Sequence, residues 1–125
     1  MNKTDKPSIL LVEDYPDTRT MLQLLLESAG FAVVAKHDGA EALEFLSNAI
    51  PDVILTDLMM PNVSGIELIQ RVRANAMMAH VPIIAMTAYS SGPAEEARKA
   101  GAVAVLNKPV SFEKMSSAIN DALRP

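Results

Sequence analysis

Short, continuous apolar runs alternate along this chain with longer segments in which apolar residues recur every three or four positions. Runs of the first kind read as strands buried on both faces, and segments of the second kind as amphipathic helices that cover them. Residues 9–12 form the first such run, and Met21, Leu22, Leu24, Leu25, Leu26 and Ala29 then fall at helical spacing until Gly30 stops the helix. Residues 32–35 make a second strand, and a helix from about Gly39 carries Ala42, Leu43, Phe45 and Leu46 before Pro51, which cannot continue it. Residues 52–56 follow as a third strand, with Ile66, Leu68, Ile69 and Val72 marking a helix that starts near Gly65. Residues 81–86 are a fourth strand, and Pro93 suits the first turn of a short, alanine-rich helix. Residues 103–106 are the fifth strand, and Phe112, Met115, Ile119 and Leu123 stripe the last helix. Five strand-helix units in succession predict an α/β fold with a doubly wound parallel sheet.

Composition fits one such domain. At 125 residues, half of them apolar, the chain has material for one sizeable core, and the expected organisation is a single domain over residues 1–125. Its 11 basic and 15 acidic residues give a net charge of −4, and the basic residues are scattered, so direct nucleic-acid binding is not expected. With no tryptophan, stacking platforms for single strands or sugars are poorly supplied. The absence of cysteine removes disulfides, thiolate nucleophiles and sulfur-ligated metals. The opening MNKTDKPS segment is polar and the run after it is too short for a signal-peptide core or a membrane span, which makes a cytoplasmic protein with no membrane contact the expectation. The natural-looking start and the full closing helix favour a free-standing protein over an excised piece.

The chemistry lies at the strand ends. In an open parallel sheet, ligands bind in the crevice beyond the carboxyl ends of the strands. Glu13 and Asp14 follow the first strand, Asp57 the third, Thr87 the fourth and Lys108 the fifth, with Pro109 directly behind it; the second ends only in Lys36 and His37. Gathered at one end of the sheet, three carboxylates repel one another and raise at least one pKa unless a cation neutralises them. Oxygen ligands without His or Cys favour Mg²⁺, which takes few carboxylates plus phosphate oxygens. A lysine and a threonine hydroxyl opposite the metal complete a cradle for a tetrahedral anion. A carboxylate is also a competent nucleophile toward a phosphoryl donor.

Taken singly, each residue has a plain structural reading. Asp14 has the type and place to cap the first helix, with Pro16 in its first turn, and that role is compatible with metal binding. Asp57 could be a loop acid, Thr87 a strand terminus and Lys108 a solvated lysine; their joint placement after four of five strands is what outweighs those readings. The eight methionines read as core filler and surface residues, and His37 and His80 as surface residues rather than ligands or phosphocarriers.

The segments LLVEDYPDTR, DVILTDLMMPNVSGIEL, PIIAMTA and LNKP, in that order and spread over nearly the whole chain, resemble the four signature stretches of the response-regulator receiver family. The resemblance implies a flavodoxin-like sheet of strand order 2-1-3-4-5 and a phosphorylation-dependent switch in a two-component system or phosphorelay, one that catalyses only its own phosphorylation and dephosphorylation. It implies Asp57 as phosphoacceptor, Mg²⁺ held by Asp14, Asp57 and the backbone carbonyl of Met59, Glu13 assisting through the metal's water shell, and Thr87 and Lys108 on the phosphoryl group. It also implies a cis linkage before Pro109, a histidine kinase or histidine phosphotransfer protein as donor, and a downstream protein bound at the face of the fourth helix, fifth strand and fifth helix, with the chain a monomer or a phosphorylation-dependent dimer.

In the family the signal is coupled to an aromatic ring three residues before the lysine, and here that position is Val105. A valine cannot swing a ring, so rearrangement of residues 87–93, carrying Tyr89, is the expected route. Met59 and Tyr89 flank the path of attacking water, which predicts slow autodephosphorylation. Three rival readings differ in chemistry. A haloacid dehalogenase type phosphatase resembles a D-x-D pattern, whereas Met59 stands two residues after Asp57; a flavin module needs a Ser/Thr/Gly-rich loop where this chain has Glu13, Asp14, Tyr15 and Pro16; a non-phosphorylated pseudo-receiver usually lacks one of the acidic, hydroxyl or lysine groups present here.

Overall fold

The computed structural model describes residues 6–89 and 91–124. Within them the chain runs β1 (Ser8–Val12), α1 (Pro16–Ser28), β2 (Ala32–Lys36), α2 (Gly39–Leu46), β3 (Val53–Asp57), α3 (Gly65–Ala74), β4 (Ile83–Thr87), α4 (Pro93–Ala100), β5 (Ala104–Asn107) and α5 (Phe112–Leu123). The five strands are parallel in the order β2-β1-β3-β4-β5, as expected. The reading of the opening MNKTD residues lies outside the described part of the chain, as does Ser90 within the 87–93 segment. Among the described residues no helix is long and apolar enough to cross a membrane.

Strand alternation divides the core. Ile9, Leu11, Val53, Leu55, Ile84 and Met86 face one side, where Leu22 and Leu26 of α1 and Met115 and Ile119 of α5 close over them. Leu10, Val12, Ile54, Ile83 and Ala85 face the other, against α2, α3 and α4 through Leu46, Leu68, Ile69, Val72 and Ala97. The three central strands therefore read as unbroken apolar runs, since both faces are covered. Met78, Met86 and Met115 are core, whereas Met21, Met59 and Met77 are exposed.

The limits of the last three strands depart from the sequence reading in one direction. β3, β4 and β5 each begin and end one or two residues later than the apolar runs, so Asp57 and Thr87 are the last residues of their strands rather than the first of the loops. Backbone pairing decides this: Asp57 sits opposite Met86 and Thr87 opposite Asn107, which fixes both side chains on a rigid ladder. Asp52 instead leaves the strand, its carboxylate accepting from the Ser8 amide at 2.8 Å and the Ser8 hydroxyl at 3.2 Å. A second correction concerns Asp14, which does not cap α1; the capping position is Tyr15, with no side-chain hydrogen bond, and Pro16 opens the helix. Side chains cap three of the other helices as their types suggest, Asp38 for α2, Ser64 for α3 and Ser111 for α5, while α4 has no side-chain cap.

The order 2-1-3 places the chain reversal between β1 and β3, so the carboxyl ends of these two strands open onto a shared crevice. Gly65 packs against the backbone at the end of β3. A Cβ there would lie 2.6 Å from Leu58 Cα and 3.0 Å from the Asp57 carbonyl carbon, and the Gly65 amide donates to the Leu58 carbonyl at 2.9 Å. Only glycine lets α3 start against the backbone that carries Asp57.

Candidate functional site

The carboxyl ends of β1, β3, β4 and β5 bring together the acids, the threonine and the lysine singled out in the sequence. One carboxylate oxygen from each of Glu13, Asp14 and Asp57 lies within 4.8 Å of the other two. Glu13 is fully buried and Asp57 is 2% exposed, while Asp14 stands at the surface. A cleft of about 240 Å³ opens over Asp57, lined by Asp14, Met59, Met86, Thr87, Ala88, Tyr89 and Lys108. Met59 and Tyr89 form its exposed rim, at 63% and 57% exposure.

Lys108 ties the site together. Its Nζ lies 2.5 Å from Asp57 Oδ1 as an ion pair and donates a hydrogen bond to Glu13 Oε1 at 3.2 Å. The Lys108–Pro109 peptide bond is cis, as the family resemblance implies, and the Lys108 amide donates to the Thr87 carbonyl at 2.7 Å, anchoring the end of β5 to β4. On the opposite side, Glu13 Oε2 accepts from the Tyr15 amide at 3.1 Å, the Glu13 amide donates to the Lys36 carbonyl at 3.1 Å, and Arg19 donates to the Glu13 carbonyl at 3.0 Å. The β1–α1 turn that presents Asp14 is thus held at both flanks. Sequence reasoning did not mark Arg19, because its acceptor is a backbone carbonyl and leaves no trace in residue type.

Both Asp57 oxygens are buried, and the Lys108 ammonium against Oδ1 is the positive group they meet, an arrangement that costs free energy unless a further cation completes it. The consequence appears in its proton affinity. Burial, followed by the hydrogen bond and charge of neighbouring Glu13, pushes the Asp57 carboxyl up to about 8 against the opposing pull of Lys108. Burial alone would lower the Lys108 pKa, but the hydrogen bond and charge of Asp57, joined by Glu13, outweigh it and hold the ammonium above its ordinary value. A protonated lysine beside more negative charge than it can neutralise is a site for a further cation. The donors are all oxygens, one exposed and two buried, which suits a hard divalent ion. Thr87 Oγ1 accepts from the Tyr89 amide at 3.0 Å, which leaves its O–H available to donate into the cleft.

A larger cavity of about 460 Å³ lies behind Lys108, between α1 and the start of α5, lined mainly by Met21, Leu22, Pro109 and Val110. Asp57 is not among its lining residues, and its walls are mostly apolar, with Glu13, Thr18 and Lys108 as their polar part. The smaller cleft is where the charged groups converge. His37 pairs with Glu41 at 2.7 Å and with Asp38 at 3.3 Å on the surface, and His80 is exposed, so neither joins the site. Val105 is half-buried, packed against the α2–α3–α4 side of the core.

Residues 9–120 match the family model of the response regulator receiver domain. The polar-differentiation response regulator DivK of Brucella ovis is 32% identical over 117 residues, which span 93% of this chain and 95% of the relative. Among solved structures, the chemotaxis response regulator CheY4 of Vibrio cholerae superposes with a TM-score of 0.89 at 31% identity, covering 94% of this chain and 99% of the other. A response regulator of Chloroflexus aurantiacus gives a TM-score of 0.90 at 30% identity, covering 94% and 98%.

Proposed function

This chain belongs to the response regulator receiver family of two-component signalling, and from that premise we propose that Asp57 is its phosphoacceptor, with Mg²⁺ as cofactor. The observation that carries the reading is the Asp57 carboxylate itself: buried, paired with the Lys108 ammonium, and set beside two other carboxylates at the mouth of a cleft. A carboxylate so placed is an unsatisfied nucleophile waiting for two partners, a cation and an electrophilic phosphorus.

In the proposed reaction an Asp57 oxygen forms a bond to the phosphorus of an incoming phosphoryl group as the bond to the donor's histidine nitrogen breaks. Asp14, Asp57 and the Met59 carbonyl, with Glu13 assisting, would hold Mg²⁺, which when bound would neutralise the carboxylates and the phosphoryl oxygens. Lys108 moves from its ion pair with Asp57 to a phosphoryl oxygen, while its hydrogen bond to Glu13 keeps the ammonium oriented. Thr87 donates its hydroxyl to a second oxygen. Positioning and charge do the catalytic work, since phosphoryl transfer asks little covalent chemistry of the protein beyond the nucleophile.

The chain is a signalling module, and in this proposal it turns over only its own phosphoryl group. The donor is a histidine kinase or a histidine phosphotransfer protein, and the target is a protein met at the α4-β5-α5 face, with residues 87–93 carrying the change outward. Location in the cytoplasm belongs to the same proposal, because such donors are charged from ATP. The test is the lability of the label. After incubation with acetyl phosphate and Mg²⁺, neutral hydroxylamine is expected to release the phosphate, as it does from acyl phosphates; a hydroxylamine-resistant label would put it on a serine or threonine and contradict the reading.

A further inference from the structure

We infer that Arg73 is a positioning residue that pins the C-terminal end of α4, so that the output face yields only at the helix's Gly92 end. The inference rests on the phosphoacceptor reading for its trigger alone; the pin is a property of the unphosphorylated fold.

Arg73 stands in the last turn of α3, and its guanidinium donates to three backbone carbonyls in two other segments. Nε and one terminal nitrogen reach the Gly101 carbonyl at 3.2 and 2.8 Å; the other reaches the Ala79 carbonyl at 3.0 Å and the Val81 carbonyl at 2.6 Å. The planar fork thus ties the end of α3, the approach to β4 and the residue that ends α4 into one knot, a geometry that lysine cannot reproduce. Burial lowers the pKa of this guanidinium, which still stays charged, so its bonds are charge-assisted. Gly101 is fitted to the knot twice over. Its φ is +125°, and a Cβ there would lie 2.7 Å from Arg73 Nε and 2.9 Å from Cγ.

The rest of α4 is held lightly. Its sequence is PAEEARKA, and its buried residues are Ala94 and Ala97, each of which can bury only one methyl group, whereas α3 buries Leu68, Ile69 and Val72. At the other end, Gly92 has a φ of +66°, no side chain caps the helix, and a Cβ at Gly92 would meet nothing within 4 Å. That free end connects to Tyr89, whose amide is bonded to Thr87 Oγ1, the group at the phosphoryl site. A pull on Thr87 therefore reaches α4 at its weak end and stops at Arg73. A short helix fixed at one end and free at the other rotates, and its exposed face changes angle toward a partner without the core being repacked.

Two variants and the wild type test this by NMR. In the wild type, excess acetyl phosphate with Mg²⁺ is expected to shift the amides of Tyr89 and of residues 91–94 while leaving those of residues 98–102 in place. Arg73→Lys keeps the charge and removes the fork; its shifts are expected to spread through residue 102, and without phosphodonor its amides at 100–102 should exchange about tenfold faster than in the wild type. Gly101→Ala should reproduce both effects from the opposite side of the knot. Wild-type shifts at 98–102 as large as those at 91–94 would overturn the inference. Unchanged exchange in Arg73→Lys would overturn it too, and that arm needs no phosphorylation, so a chain that fails to shift anywhere near Asp57 sinks the phosphoacceptor reading and leaves the pin to be decided by exchange.

Discussion

Burial of Asp57 carries an electrostatic cost, and the cost has a sign. Its carboxyl is pushed up from 3.8 to about 8, so the folded state binds the proton more tightly than the unfolded chain does. The contribution of this proton to stability is complete below about pH 4 and is lost as pH rises through about 8. In metal-free solution Asp57→Asn is therefore expected to melt at least about 4 °C above the wild type at pH 8 and to approach it at pH 4, with Mg²⁺ narrowing the gap at the higher pH. Thermal melts at the two pH values check this; a variant no more stable than the wild type at pH 8 would mean the carboxylate is not destabilised. Lys108→Met should slow phosphorylation from acetyl phosphate by about 10²-fold or more, since it removes the charge aimed at the transferring group, and a rate within a few-fold of wild type would remove Lys108 from the mechanism. At the rim, Met59→Asn or Tyr89→Ala should shorten the lifetime of the phosphorylated state several-fold by opening a path for water past two exposed apolar side chains, as followed by loss of the 80 Da adduct with time.

Strands and helices position these groups more firmly than their loops do. Asp57 and Thr87 end on paired backbone, and α3 starts against the Asp57 carbonyl through Gly65. Gly65→Ala is expected to cost about 2–4 kcal/mol in urea unfolding, because backbone rather than a flexible side chain fills the space its methyl needs; a loss below about 0.5 kcal/mol would show that α3 shifts freely. This element scale is also where the sequence is least explicit. Apolar runs locate every strand but not its last residue, because hydrophobicity says nothing about which polar residue the ladder retains, and so the limits of β3, β4 and β5 move toward Asp57, Thr87 and Asn107. Asp14 looks like a helix cap by type, yet the turn held by Arg19 and the Tyr15 amide puts Tyr15 in that place. Arg19 and Arg73 act on carbonyls that any residue supplies, so no motif marks them. The acids, Thr87 and Lys108 were legible because the strand ends of a parallel sheet converge, a rule of topology that needs no side-chain detail.

For the molecule as a whole, the site and the proposed α4-β5-α5 face share only the strand β5, which Lys108 directly follows. Val105 is half-buried where the family resemblance leads one to expect a ring, and the proposed path outward runs instead from Thr87 through the Tyr89 amide to α4. The account makes the whole domain a switch whose state is set by one covalent bond at Asp57. That bond is tested most directly by intact mass after incubation with acetyl phosphate and Mg²⁺, with metal-free protein and Asp57→Asn as controls. The account predicts a gain of about 80 Da that requires Mg²⁺ and is absent from the variant. A folded wild type that gains no mass from fresh donor, or a variant that gains as much as the wild type, would contradict it.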